Sequence, residues 1–191
     1  MKTYWKILGI AGLLTGATAA HAQSVTNPIM GTVQAQLVLT SGCAISTGSG
    51  STTGPTNFGM LDFGTQPSGF TGPLHSSTSG SGSVAATQVT CSSDLTSVKI
   101  TVDGGMHAGQ GSPANGTGTR AMSNGKDYLP YDVYSDAADS LEYVAGTTQN
   151  ITIPTAGQPF SLPIYGLVNK TNPVALSSGT YTDTLNVTLG W

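Results

Sequence analysis

Apolar and polar residues alternate along much of this chain with a period of two, the spacing of strands that bury one face. The first such run covers residues 29–39. Ile29, Val33, Ala35, Leu37 and Leu39 take odd positions, with Thr32, Gln34 and Gln36 between them. Gly31 interrupts the apolar side, while Met30 and Val38 blur the polar one. A short strand is expected at 58–63, with Phe58, Met60 or Leu61, and Phe63 as its apolar positions and Gly64 closing it. Residues 84–91 and 98–102 read as the next two strands. Leu129, Tyr131 and Val133 mark another, Ile151 and Ile153 a shorter one, and Phe160, Leu162, Ile164 and Leu167 one long strand. The cleanest alternation runs from Tyr181 to Trp191, with Leu185, Val187 and Leu189 on its apolar side.

Turn-forming residues punctuate these runs. Residues 46–57 and 76–83 are flexible loops by composition, and Asp103-Gly104-Gly105 is a turn that opens a Gly-rich loop reaching Gly118. Asn124-Gly125 suits a tight hairpin turn, and residues 135–142 read as a helical turn or a loop. No stretch holds a helical period beyond two turns. The expectation is an all-β sandwich or barrel.

Residues 1–22 read as a secretion signal: Lys2 and Lys6, a short apolar run over 7–14, and the small-residue site Ala20-His21-Ala22. That run is too short to span a bilayer, so a soluble, exported, single-domain chain is expected after cleavage. Removing the signal leaves four basic residues (Lys99, Arg120, Lys126, Lys170) against nine acidic ones, a net charge of −5. Nucleic acid is therefore not an expected partner, because its recognition needs clustered Lys and Arg. Only 8% of residues are charged. So few charges suit a β-rich extracellular protein whose surface is partly covered by neighbours.

Cys43 and Cys91 are the only cysteines. In an oxidising compartment a pair reads as one disulfide. It closes a loop of about 49 residues, worth roughly 4 kcal/mol on the chain-entropy estimate. Everything before Cys43 is then a tail, and its strand pattern must bury a face against something.

Candidate chemistry is sparse. His75 and His107 lie 32 positions apart in Gly/Ser-rich stretches and read as exposed loop histidines. Asp132, Asp136, Asp139 and Glu142 form an acidic cluster, read as a solvated turn because no calcium-loop spacing accompanies it. Tyr128, Tyr131 and Tyr134 fit a sugar-binding face or, more simply, half-buried packing. No cofactor, metal or catalytic residue is expected, and no enzyme activity.

Six segments, in order, resemble the spore coat protein U domain found in subunits of archaic, Csu-type chaperone–usher pili. They are Ser41-Gly42-Cys43, Phe58-Gly59-Met60-Leu61-Asp62-Phe63-Gly64, Val89-Thr90-Cys91, residues 129–136 (LPYDVYSD), residues 162–166 (LPIYG) and residues 179–189 (GTYTDTLNVTL). The resemblance implies an incomplete immunoglobulin-like sandwich lacking its last strand, completed by strand addition from another chain. It divides the chain into a signal (1–22), a donor-strand extension (23–40) and a pilin domain (41–191). Within the extension, Ile29, Val33, Ala35 and Leu37 enter a neighbour's groove, with Leu39 continuing the odd-numbered set. Leu185, Val187 and Leu189 form part of the acceptor groove. The implied partners are neighbouring pilus subunits, a periplasmic chaperone and an outer-membrane usher. The implied role is a cell-surface fimbrium supporting adhesion and biofilm formation. The competing reading is a self-contained secreted β-sandwich that binds carbohydrate or joins a protective surface coat.

Overall fold

The computed structural model describes residues 30–46, 58–78 and 88–191. The chain divides into an N-terminal unit ending at Val38 and a body from Leu39 to Trp191. The described residues contain no helix. The body is all-β and antiparallel, in keeping with an incomplete immunoglobulin-like sandwich.

Among the described residues ten strands are formed: β1 (Cys43–Ser46), β2 (Gly72–Ser77), β3 (Gln88–Cys91), β4 (Ser97–Val102), β5 (Arg120–Ser123), β6 (Tyr128–Tyr134), β7 (Thr148–Thr152), β8 (Phe160–Ser161), β9 (Tyr165–Lys170) and β10 (Val187–Gly190). They order as β1-β3-β8, β10-β4-β7 and β2-β9-β6-β5. The alternating positions supply the core: Val89 and Cys91, Val98, Ile100 and Val102, Leu129, Tyr131 and Val133, then Phe160, Leu162, Ile164 and Val168 are buried. Cys43 and Cys91 stand opposite each other across β1 and β3 and are joined by the expected disulfide.

Four expectations change. Residues 58–63 form no ladder, yet Leu61 and Phe63 pack on the core against Gly166, where a Cβ would meet them at 2.9 and 2.8 Å. They are apolar because they cover a sheet, not because they extend one. Ser76 and Ser77 belong to β2, so the loop composition hid a strand whose ladder depends on backbone pairing with β9. The run at 160–167 is two strands in different sheets: β8 pairs β3 and β9 pairs β2 and β6. The even-numbered face stays buried through Val168 and Lys170, so the period is right and the sheet assignment is what changes. The hairpin at Asn124-Gly125 closes through a four-residue loop: Ser123 pairs Tyr128, and Asn124 Oδ1 accepts from the amides of Lys126 and Asp127.

The Gly-rich stretch 104–118 is a close-packed strap. At Gly116 a Cβ would lie 2.4 Å from the Asn169 carbonyl oxygen, and at Gly118 2.5 Å from the Tyr131 amide nitrogen. Glycine is required there because backbone meets backbone.

Candidate functional site

β1 and β10 are edge strands of their sheets, and each carries half-buried apolar side chains. Among the described residues β10 pairs only β4, and β1 pairs only β3. Leu185, Val187 and Leu189 pack on the core but stay half-buried, as do Cys43 and Ile45 on β1. The ladder fixes which backbone groups of β10 are spent. Asp103 N donates to Asn186 O at 3.1 Å, so even-numbered residues of this run face β4. By antiparallel alternation the N–H and C=O groups of Leu185, Val187 and Leu189 point to the other edge. A strand arriving there would find both ladder partners and apolar contacts.

The two edges meet at one end. The Trp191 indole lies 3.9 Å from the position a Gly42 Cβ would take. Gly42 precedes β1 and Trp191 follows β10, so both edges start from this closed end. The entry to β1 is held firmly. Gly42 N donates to Ser92 Oγ at 3.0 Å, Ser92 N donates to Gly42 O at 2.8 Å, and the Ser41 hydroxyl donates to Asp94. Those hydroxyl bonds from Ser41 and Ser92 lower the Asp94 carboxyl below its ordinary range.

The run leading into β10 is anchored on its β4 and β5 side. Thr182 exchanges two 3.0 Å backbone bonds with Ser123. The Asp183 side chain, 2% exposed, accepts the Tyr131 hydroxyl and the Met106 amide, both at 2.8 Å. Burial, then the bond to Asp183, raises the Tyr131 hydroxyl far above its usual range. Asp103 accepts from Asn186 N at 2.9 Å and from Asn186 Nδ2 at 2.6 Å. Burial pushes the Asp103 carboxyl up, but the bonds from Asn186 and Gly105 outweigh it and hold it low.

Beneath them sits Arg120, fully buried, donating Nε to Asp103 O at 2.9 Å and a terminal nitrogen to Tyr143 O at 2.7 Å. Lys170 is also fully buried, donating to Val174 O at 3.0 Å and to Asn172 O, with its ammonium over the Phe70 ring. The sequence reading counted both only toward the net charge. The only hint was their place in otherwise apolar, alternating runs. Lys99 and Lys126 are the two exposed basic residues of the body.

The N-terminal segment contrasts with all of this. Residues 30–42 form no strand, and residues 30–41 are exposed, with Val33 at 96%, Leu37 at 82% and Leu39 at 85%. Ala35 is exposed as well. Ile29 lies outside the described residues.

The other candidates resolve as follows. His75 stands in β2 rather than a loop, exposed, with Nδ1 3.1 Å from Asp139. His107 is not an exposed loop histidine: it is 29% exposed, 3.7 Å from Asp183, and tilted against the Tyr128 ring. Asp136 caps its own turn, accepting from Ser140 and Leu141. Tyr131 is core, while Tyr128 and Tyr134 are half-buried. Among the described residues no group of three or more His, Cys, Asp or Glu is placed to hold a metal.

No curated protein matches the chain. Among solved structures it is similar to a chain of the CsuC–CsuE chaperone–tip adhesion subunit pre-assembly complex from archaic chaperone-usher Csu pili of Acinetobacter baumannii. The identity is 20% and the TM-score 0.40, over 80% of this chain and 40% of that one. The model of the Spore Coat Protein U domain matches residues 29–188, most of the sequence. The chain belongs to the Spore Coat Protein U domain family.

Proposed function

We propose that this chain is a structural subunit of a secreted pilus, assembled by donor-strand exchange. A periplasmic chaperone first lends a strand to the open edge, and an outer-membrane usher directs its replacement by the extension of the next subunit. The pairing of two complementary features carries this reading. An exposed, unpaired segment with a buried-strand pattern (Val33, Ala35, Leu37, Leu39, preceded by Ile29) precedes a body with a free edge over half-buried Leu185, Val187 and Leu189. Main-chain bonds along that edge would give affinity, and alternate side chains would give specificity.

On this reading residues 1–22 are the export signal, 23–40 the donor extension and 41–191 the acceptor domain. The finished fibre sits on the cell surface, where attachment and biofilm support are its expected uses. Deleting residues 23–36 should leave a chaperone-bound subunit that no longer enters fibres. Fibres built from the truncated chain would show that the extension is not the donor.

A further inference from the structure

We propose that Trp191 is a positioning residue that sets the register of the incoming strand. The inference rests on the strand-exchange reading and adds to it a named stop. The free edges of β1 and β10 begin from one closed end, where the indole stands beside Gly42 and remains 56% exposed. The ring meets Gly42 through its Cζ2 and Nε1 atoms, 3.9 and 4.0 Å from where a Cβ would stand. The rest is available to whatever lies along the edge.

Chain connectivity fixes the direction of entry. The donor's own body follows its residue 40, so on the strand-exchange reading it lies beyond the end of the edge away from Trp191. Residues nearer 29 therefore lead toward Trp191, and the donor runs antiparallel to β10. Its odd-numbered face runs from 29 to 39, and the wall from Tyr181 to Leu189 offers five odd positions, so Leu39 falls beyond the wall, level with Gly179. With Pro28 halted at the indole and residues 23–27 continuing past it, Ile29 comes opposite Leu189, Gly31 opposite Val187, Val33 opposite Leu185, Ala35 opposite Asp183 and Leu37 opposite Tyr181.

The pattern is chemically consistent. Pro28, which has no N–H to give a ladder, falls opposite Gly190 and against the indole. Ala35, the smallest side chain of the set after Gly31, faces Asp183, whose carboxylate is turned into the body. Odd residues of β10 hold the free backbone groups, so the odd pairs are hydrogen-bonded and the even pairs are the close, non-bonded ones.

Those even pairs make the register measurable. Opposite residues in non-bonded pairs lie about 4.5 Å apart at Cα, within disulfide reach. Thr182, Thr184 and Asn186 are all exposed. The full chain, produced with its own secretion machinery, would carry Gln34→Cys together with Thr182→Cys, Thr184→Cys or Asn186→Cys. After oxidation, chains would be separated without reductant.

The expected result is a ladder of linked chains that is strongest for the Thr184→Cys pair. Adding Trp191→Ala should move the strongest ladder to the Asn186→Cys pair, a two-residue slip, the smallest that keeps the apolar face inward. Trp191→Phe should restore the Thr184→Cys preference and guards against a general folding defect. An unchanged preference in Trp191→Ala overturns the role of Trp191 and leaves strand exchange standing. Linkage only within single chains, or none with any partner position, overturns strand exchange itself.

Discussion

Residues 31–39 and residues 181–190 carry nearly the same pattern, apolar on odd positions and Thr, Gln or Asn between, yet they end in opposite states. The second run becomes the anchored approach to β10 and then β10 itself, held along one side by Ser123, Tyr131, Asp103 and β4. The first has no ladder and is exposed throughout. A two-residue period therefore records a demand for a partner, and the partner decides whether a strand forms. Where the body supplies one, the strand is present. The N-terminal run has no ladder partner among the described residues.

The largest way to break this contrast is at the junction between the two states. Replacing Cys43 and Cys91 by alanine frees the entry to β1 and should destabilise the body by about 4 kcal/mol, the chain-entropy value for a loop of this size. Denaturant unfolding of the oxidised and substituted chains measures it. A loss near zero would mean that the bonds among Ser41, Gly42, Ser92 and Asp94 suffice to hold β1.

Next in size is the root of the anchored wall. Arg120→Ala strips the Asp103 and Tyr143 carbonyls of their buried donor and should cost roughly 3 kcal/mol. Its effect should reach beyond its own position, raising amide exchange at Asn186, because Asp103 binds both residues.

A smaller effect follows from pH. The Asp103 carboxyl is held below its ordinary value in the folded chain, by the bonds from Asn186 and Gly105. Its stabilisation is therefore complete above the unfolded value of about 3.9 and is lost as pH falls through the lower folded value. Acidification through this window should loosen the 183–186 segment, followed as exchange at Asn186. Asp103→Asn should remove that pH dependence while weakening the same contact at neutral pH.

The division between what the sequence reveals and what it conceals follows the same logic. Period two located the strands at 98–102 and 129–133 and the odd face at Leu185, Val187 and Leu189, because side-chain burial writes itself into local pattern. It misjudged the 58–63 run, whose Leu61 and Phe63 cover a sheet without joining one. It merged β8 with β9, since a strand crossing between sheets keeps its buried parity. It overlooked β2, whose Gly, Pro, His and Ser residues are ordered by ladder bonds to β9. Arg120, Lys170 and His107 escaped for a related reason: their surroundings are assembled from strands distant in sequence. The extension was legible as a strand lacking a partner. That the body has a free edge to match it required the ladder of β10.

The smallest effect on the subunit's own stability is the sharpest test of the comparison. Val33 is 96% exposed, so Val33→Ser removes no contact within the described chain and should shift unfolding by less than about 0.5 kcal/mol. Val187→Ser truncates a side chain already packed on the core and should cost about 1 kcal/mol. In assembled fibres the two should converge, each weakening the same interface, because both side chains then belong to one buried face. Amide exchange gives the matching signature: residues 31–37 unprotected in the free chain and protected in the fibre. Protection of that segment in the monomer would mean that the extension already has a partner in its own body, and the contrast between the two runs would disappear.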